Sequence, residues 1–316
     1  MAFNTIRQNP RSIQLFVAVY EELSFTLAAT RENATQSGVS QHVSDLEDSL
    51  GVKLFERGAI SIQPTPAGRA YYSACLDLLK SHERTLNSVE PFKKSSQGEI
   101  NVGMTPTLTR AVLAPAYERF TKQNPNVIVR VIDSYFGDLI DQVRTGELTF
   151  AIVPSSFGSK GVRTTFFAES PEMLISSSTS PYKHCHPLRL ADVAPLELVM
   201  PGSNNARRKI IDNYLTSNDI GVKRFVEFDT MAGMIDLVSK GNWSTILPLV
   251  MITNDIESGK YKVNQIIDPP LNLHTFVIEP ARKSMSDVAA SFLNCLKEEF
   301  RLSIKKANEL IKAASH

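Results

Sequence analysis

The sequence predicts an α/β protein built from two unlike parts, a short helical head and a longer body in which strands and helices alternate. Three observations carry that expectation. Apolar residues near the N-terminus recur at threes and fours, as amphipathic helices require. From about residue 99 short apolar runs alternate with helical stretches, as parallel sheets require. Between them stands Lys93-Lys94-Ser95-Ser96-Gln97-Gly98, a polar hinge. A length of 316 residues suits about two domains.

In the head, Ile13, Phe16, Val17 and Tyr20 follow the i, i+3, i+4, i+7 rule and predict a helix from about Ser12 to Glu22. Ser24 can cap a second helix, in which the small pair Ala28-Ala29 allows a neighbour to approach closely. Asn33-Ala34 makes the turn. Thr35 caps a third helix with inner residues Val39, Val43, Leu46 and Leu50, and Gly51 ends it. Its outer face carries Gln36, Ser37, Ser40, Gln41 and Ser44 close to the helix N-terminus, where a recognition helix meets base edges. Glutamine can grip adenine N6 and N7 together, serine serves base or phosphate, and the helix N-terminus attracts phosphate. A solvated face is the plain alternative for any one of these residues; the ordered set favours double-stranded DNA.

Leu54-Phe55-Glu56-Arg57 precedes the alternating run Ile60-Ser61-Ile62, which predicts a wing hairpin with Arg57 near a phosphate. Thr65 as cap and Pro66 as first helical residue then start a long helix. On it Tyr71, Cys75, Leu78, Leu86 and Val89 form a narrow stripe. A coiled-coil dimer seam and packing onto the helix's own head both fit that pattern.

Ser24-Phe25-Thr26-Leu27-Ala28-Ala29, Thr35-Gln36-Ser37-Gly38-Val39-Ser40, Leu46-Glu47, Leu50-Gly51, Leu54-Phe55-Glu56-Arg57 and Thr65-Pro66-Ala67-Gly68 resemble, in order and spacing, the signature of LysR-type transcriptional regulators. Glu32 departs from that pattern, standing where a buried leucine is usual; Gly38 replaces a common alanine and Pro64 a wing leucine. An unpaired buried carboxylate is costly, so Glu32 is expected to turn outward or to pair with Arg31 or another neighbour. The resemblance implies a winged helix-turn-helix over 1–65, a dimerising linker helix over 66–92, a hinge over 93–98 and an effector-binding domain over 99–316. It also implies a homodimer joined through the linker helices and paired further into a homotetramer, with RNA polymerase as a further partner.

In the body, Ile100-Asn101-Val102-Gly103-Met104, residues 127–132 and Phe150-Ala151-Ile152-Val153 read as strands of a first lobe. One helix between them carries Leu108, Val112 and Phe120, and another Leu139, Ile140 and Val143 before Gly146. Met173-Leu174-Ile175, Leu198-Val199-Met200 and Thr245-Ile246-Leu247 read as a second lobe over about 168–268. Thr275-Phe276-Val277-Ile278 returns to the first, which holds about 99–167 and 269–316. Two crossovers would join the lobes. This arrangement resembles the LysR-type effector domain, itself similar to periplasmic solute-binding proteins, and His186-Pro187-Leu188 and the run from Gly241 to Pro248 fit the same family.

Ligands of open α/β sheets sit beyond the carboxyl ends of strands, beside helix N-termini with free amides. That rule nominates Thr105, Pro106, Thr107, Ser155, Ser203, Asn204, Thr230 and Met231 as contacts for a small-molecule effector, a polar and anionic metabolite. Helix capping is the plain alternative for Thr105, Ser203 and Thr230.

Composition bounds the rest. Hydrophobic residues make 42% and charged residues 21%, as in globular proteins, and no apolar run reaches the roughly 18 residues of a membrane span. Residues 1–7 lack the pattern of an export signal, so a cytoplasmic protein without membrane association is expected. Cys75, Cys185 and Cys295 lie far apart and read as ordinary thiols, with a redox pair as the alternative. His184-Cys185-His186 lacks a second ligand pair at zinc spacing and reads as a structural loop, so neither metal nor cofactor is expected. With a net charge of +1, and a head whose acidic residues offset its basic ones, bulk electrostatics alone does not explain DNA affinity. No nucleophile elbow, phosphate loop or dinucleotide fingerprint is present, so an enzyme is not expected. A solute-binding transport protein and a ligand-independent DNA-binding protein remain the alternatives.

Overall fold

A computed structural model describes residues 9–57, 62–87, 98–134, 136–154 and 161–314. The chain divides into two compact units, one of Met1–Ser96 with Ser159–Arg163 and Pro280–Ser284, the other of Gln97–Gly158, Thr164–Glu279 and Met285–His316.

In the first unit, helix α1 (Pro10–Glu22) begins with proline after Asn9, whose side chain accepts the Arg11 N–H at 2.9 Å. Helix α2 (Phe25–Arg31) is capped by Ser24, which accepts from Leu27 at 3.3 Å. Helix α3 (Gln36–Leu50) is capped by Thr35, which accepts from Gly38 at 3.1 Å. The three helices and the segment after them share one core around Phe16, Val17, Ala28, Val39, Val43 and Leu54. Strand β1 (Phe55–Arg57) pairs antiparallel with β2 (Ile62–Pro64), Phe55 opposite Pro64. The wing expected from Ile60 thus begins, among the described residues, at Ile62, and residues 60 and 61 lie outside them.

Two devices fasten the wing. Glu47, 4% exposed, accepts the backbone N–H groups of Leu54 at 2.8 Å and Phe55 at 3.1 Å and the Lys53 ammonium at 2.8 Å. Thr65 donates to the Lys53 carbonyl at 2.8 Å and accepts from Gly68 at 2.9 Å, which starts helix α4 (Pro66–Asn87). Gly68 is needed there, because a Cβ would stand 2.1 Å from the Leu54 carbonyl oxygen.

The stripe on α4 divides. Cys75 and Leu79 are buried in the head core, Tyr71 packs on that core, and Tyr72 stacks on Tyr20 with ring centres 4.0 Å apart. Leu78 is 49% exposed, the Leu86 side chain and Val89 lying outside the described residues. The first turns of α4 therefore serve the head. Glu32 ends α2 and accepts from Arg11 at 3.0 Å, with Arg31 at 3.9 Å, so the departing carboxylate is paired.

The second unit runs β3 (Glu99–Met104), α5 (Pro106–Thr121), β4 (Ile128–Asp133), α6 (Phe136–Thr145), β5 (Phe150–Val153) and β6 (Val162–Ser177). There follow α7 (Leu190–Val193), β7 (Leu196–Met200), α8 (Ala206–Ser217), β8 (Val222–Glu227), α9 (Met231–Lys240), β9 (Ser244–Pro248) and α10 (Leu249–Ile252). Strands β10 (Tyr261–Gln265) and β11 (Asn272–Pro280) and helix α11 (Asp287–Ala314) complete it. Strand order is β4-β3-β5-β11-β6-β9-β7-β8, with β10 beside β6. β3 lies parallel to β4 and β5, and β7 parallel to β8 and β9; β11 and β6 run antiparallel to β5 and β9. Each parallel set keeps its carboxyl ends together, which places its following helix N-termini on one side.

Separate cores lie under the two halves. One gathers Val102, Leu108, Phe120, Phe150 and Phe292; the others gather Met173, Val199, Leu247 and Val263, and Leu174, Leu198, Ile211 and Ile246. Helix α11 joins two of them, with Phe292, Leu296 and Phe300 in the first core and Ala307 in the second-lobe core. The end of the chain, expected wholly in the first lobe, is therefore shared. Among the described residues no helix is long and apolar enough to cross a membrane.

Candidate functional site

On α3 the apolar residues Val39, Val43 and Leu46 are buried and the polar ones are turned away. Thr35, Gln36, Ser37 and Gln41 are exposed, and Ser40 and Ser44 are half-buried. This is the set singled out from the sequence, presented as one stripe. The Thr35 hydroxyl is occupied by the Gly38 amide and lies 3.4 Å from the Ser37 hydroxyl. Gln41 donates from Nε2 to Asp45 at 2.7 Å. A carboxylate only accepts, so the contact takes one amide N–H and leaves the oxygen and the second N–H, the pair that adenine N6 and N7 require. Asp45 carried no signal of this in the sequence, since i, i+4 acidic residues on helix surfaces are common. Arg57 closes β1, its side chain lying outside the described residues. At the exposed start of α4, Arg69 donates to the Pro64 carbonyl at 2.8 Å, a cation the sequence reading had not singled out.

The second unit holds a cavity of about 330 Å³. Its lining comes from the segments that follow the parallel strands: Thr105, Pro106 and Thr107 after β3, Asp133 and Ser134 at the end of β4, Pro154 after β5, Asn205 and Arg207 after β7, and Phe228, Asp229 and Met231 after β8. The expected Thr105, Pro106, Thr107 and Met231 are thus brought together. Thr230 caps α9 without a side-chain hydrogen bond and does not line the cavity. Ser203 and Asn204 do not line it either; the next residue, Asn205, does, and it caps α8 by accepting the Arg207 N–H at 3.0 Å. Three consecutive cap-competent residues left the sequence no means of choosing among them. Ser155 lies outside the described residues.

Arg207 is 5% exposed, and its Nη2 donates to both oxygens of buried Glu172, at 2.7 and 2.9 Å, and to the Ile246 carbonyl at 3.1 Å. Burial pushes the Glu172 carboxyl above its ordinary range, against the pull of Arg207. The Arg207 Nε is buried and has no hydrogen-bond partner. Asp229 accepts the Gly202 N–H at 2.9 Å, and a Cβ at position 202 would come within 2.6 Å of that carboxylate, so glycine is what permits the contact. Helices α5 and α9 both begin without a side-chain cap, leaving first-turn amides beside the cavity. The arrangement can hold a small polar molecule, and among the described residues no group of side chains able to hold a metal ion is found.

The cysteines take no part. Burial pushes all three thiols up, Cys75 to about 11, which disfavours the reactive thiolate. In the His184-Cys185-His186 run, the Cys185 N–H donates to the Val263 carbonyl at 2.9 Å, and His184 Nδ1 accepts the Val263 N–H at 3.2 Å.

Two family models match the chain. The model of the bacterial regulatory helix-turn-helix protein, lysR family, matches residues 10–69, and that of the LysR substrate binding domain matches residues 93–301. The nitrogen assimilation regulatory protein nac of Klebsiella aerogenes is 23% identical over 282 residues, 89% of this chain and 92% of its own. The RuBisCO operon transcriptional regulator of Acidithiobacillus ferrooxidans is 24% identical over 287 residues, 90% of this chain and 92% of its own. Among solved structures, full-length BenM shares the fold at a TM-score of 0.59 and 19% identity, over 93% of this chain and 97% of that one. Full-length CbnR in complex with its target DNA does so at 0.54 and 19%, over 92% and 99%. The two family-model matches together cover most of the chain, and the chain belongs to the LysR family of DNA-binding transcriptional regulators with an effector-binding domain.

Proposed function

We propose that this regulator reads double-stranded DNA through Thr35, Gln36, Ser37, Ser40, Gln41 and Ser44, with Arg57 of the wing on a phosphate, and that a small molecule held in the cleft alters that reading. The carrying observation is the outward polar stripe of α3, with Gln41 oriented by Asp45 while the helix's apolar side is spent on the head core. Major-groove readout needs such a pre-oriented helix face. Thr105, Pro106, Thr107, Arg207 and Met231 form the effector contacts in this reading, and the transporter and ligand-independent alternatives are disfavoured by the family membership and by the polar cavity.

Two heads joined through α4 would present two recognition helices to an interrupted dyad, and pairing of such dimers would give a tetramer in the cytoplasm, positioned to meet RNA polymerase. A ligand that binds one arrangement of the lobes better than the other shifts the population, and with it the bend and spacing imposed on DNA. Binding in the cleft, rather than thiol oxidation, is the favoured signal, since all three cysteines are held away from the thiolate. Random-oligonucleotide selection with the full chain at moderate salt tests the reading. Enrichment of a two-fold-related site is expected; absence of any enriched duplex would refute it.

A further inference from the structure

The charged lining of the cleft is acidic where a ligand meets it. Asp133 ends β4 and Asp229 follows β8, one carboxylate from each lobe, and among the described residues neither has a salt-bridge partner. Among the described residues Arg207 is the one cation of the lining, and Glu172 already neutralises it from within the fold. Among the described residues two negative charges thus face the cavity uncompensated, and they oppose the simple anion that helix N-termini alone would suggest.

Donors are present as well. The Arg207 Nε is buried without an acceptor in a side chain 6% exposed, and a buried donor in that state costs free energy until an oxygen reaches it. The uncapped starts of α5 and α9 add backbone amides with the positive ends of their helix dipoles. Acceptors are wanted at one part of the cavity and a cation at another, within a volume of about 330 Å³.

We propose that the effector is a small amino-carboxylate zwitterion, its carboxylate received by the uncapped helix amides beside the Arg207 side chain, its ammonium by Asp133 and Asp229. This rests on the cleft being the effector site. Burial without a compensating cation holds the Asp133 carboxyl above its ordinary range, and a bound ammonium would relieve that condition. Gly202 fits the same role, since its N–H fixes Asp229 with a single bond and leaves further lone pairs for a ligand.

The test uses the full chain in thermal-shift and calorimetric titrations. The probes are the twenty common L-amino acids, each matched with the acid lacking its amino group and the amine lacking its carboxyl. At least one amino acid is expected to bind. Its two matched partners, and the Asp133→Asn and Asp229→Asn variants, should bind about tenfold to a hundredfold more weakly, the loss of one charge-assisted hydrogen bond. Melting curves of the unliganded variants report whether the cleft is intact. A panel in which no amino acid binds, or in which a deaminated acid binds as tightly as its parent, overturns the proposal. Selection of a DNA site by the same preparation does not require the cleft to be filled, so its outcome judges the regulator reading separately.

Discussion

Replacing Glu47 with alanine tests how the recognition helix is tied to the wing. The carboxylate accepts the amides of Leu54 and Phe55, which are 1% and 5% exposed, at 2.8 and 3.1 Å. Truncation leaves two buried donors unsatisfied at about 1–3 kcal/mol each, so a loss of about 2–6 kcal/mol is expected. The Lys53 pair adds at most about 1 kcal/mol, because that ammonium is 65% exposed. Against a domain stability of about 5–15 kcal/mol this is a large fraction. Hydrogen exchange followed by mass spectrometry should show faster exchange in peptides spanning Leu54 and Phe55, and urea denaturation a lower midpoint for the head. The pH dependence has a definite sign. Burial alone would raise the Glu47 carboxyl, but the hydrogen bonds from Lys53, Leu54 and Phe55 outweigh it and hold it below its ordinary range. Its stabilisation is therefore complete above the ordinary carboxylate pKa of about 4.3 and is lost as pH falls through the folded-state value. Glu47→Gln should lack that acid-side loss. Unchanged exchange at Leu54 and Phe55 in the alanine variant would refute the fastening role.

Three further perturbations follow from the geometry. Gly68→Ala puts a methyl group where only 2.1 Å separates it from the Leu54 carbonyl oxygen; displacement of α4 should cost about 1–3 kcal/mol in urea denaturation, and an unchanged midpoint would show that the helix start tolerates side chains. Glu172→Ala strands the buried Arg207 guanidinium, with an expected cost of about 3–5 kcal/mol, read through the fluorescence of Trp243, the chain's one tryptophan; a cost below about 1 kcal/mol would mean that Arg207 finds another partner. Thr107→Ala should weaken binding of the ligand returned by a thermal-shift screen about threefold to tenfold, the worth of one neutral hydrogen bond, with oligomeric state unchanged by light scattering; equal calorimetric affinity would remove Thr107 from the site.

The head was legible because its signals are local and mutually consistent. Ser24, Thr35 and Thr65 cap where their positions before apolar periods say they should, and proline follows the cap of α4. The body was legible where strands are buried, as at Phe150–Val153, and illegible where they are not. Strand β8, Val222–Glu227, carries Lys223, Arg224 and Glu227 and is mostly exposed at the sheet edge, so it lacks both the apolar run and the alternation that announce a strand. The strand-end rule reached Thr230 and Met231 without β8 in view but stopped one residue short of Asp229, because an unannounced strand does not show where it ends. Asp133 was hidden differently. Aspartate at a strand end usually begins a turn, and only the cavity shows it facing a site. Arg207 could not be read because its orphaned Nε exists only through the tertiary pairing with Glu172.

The most direct measurement of the DNA-reading claim is the ratio of affinities for a selected operator and for unrelated duplex, at fixed salt, in the native chain and in Gln41→Ala. A well-placed amide–adenine pair is worth about 1–3 kcal/mol of discrimination, so the ratio should fall by about fivefold to 150-fold, with non-specific affinity nearly unchanged. Equal losses on both duplexes, or no loss on either, would contradict base readout by the outer face of α3.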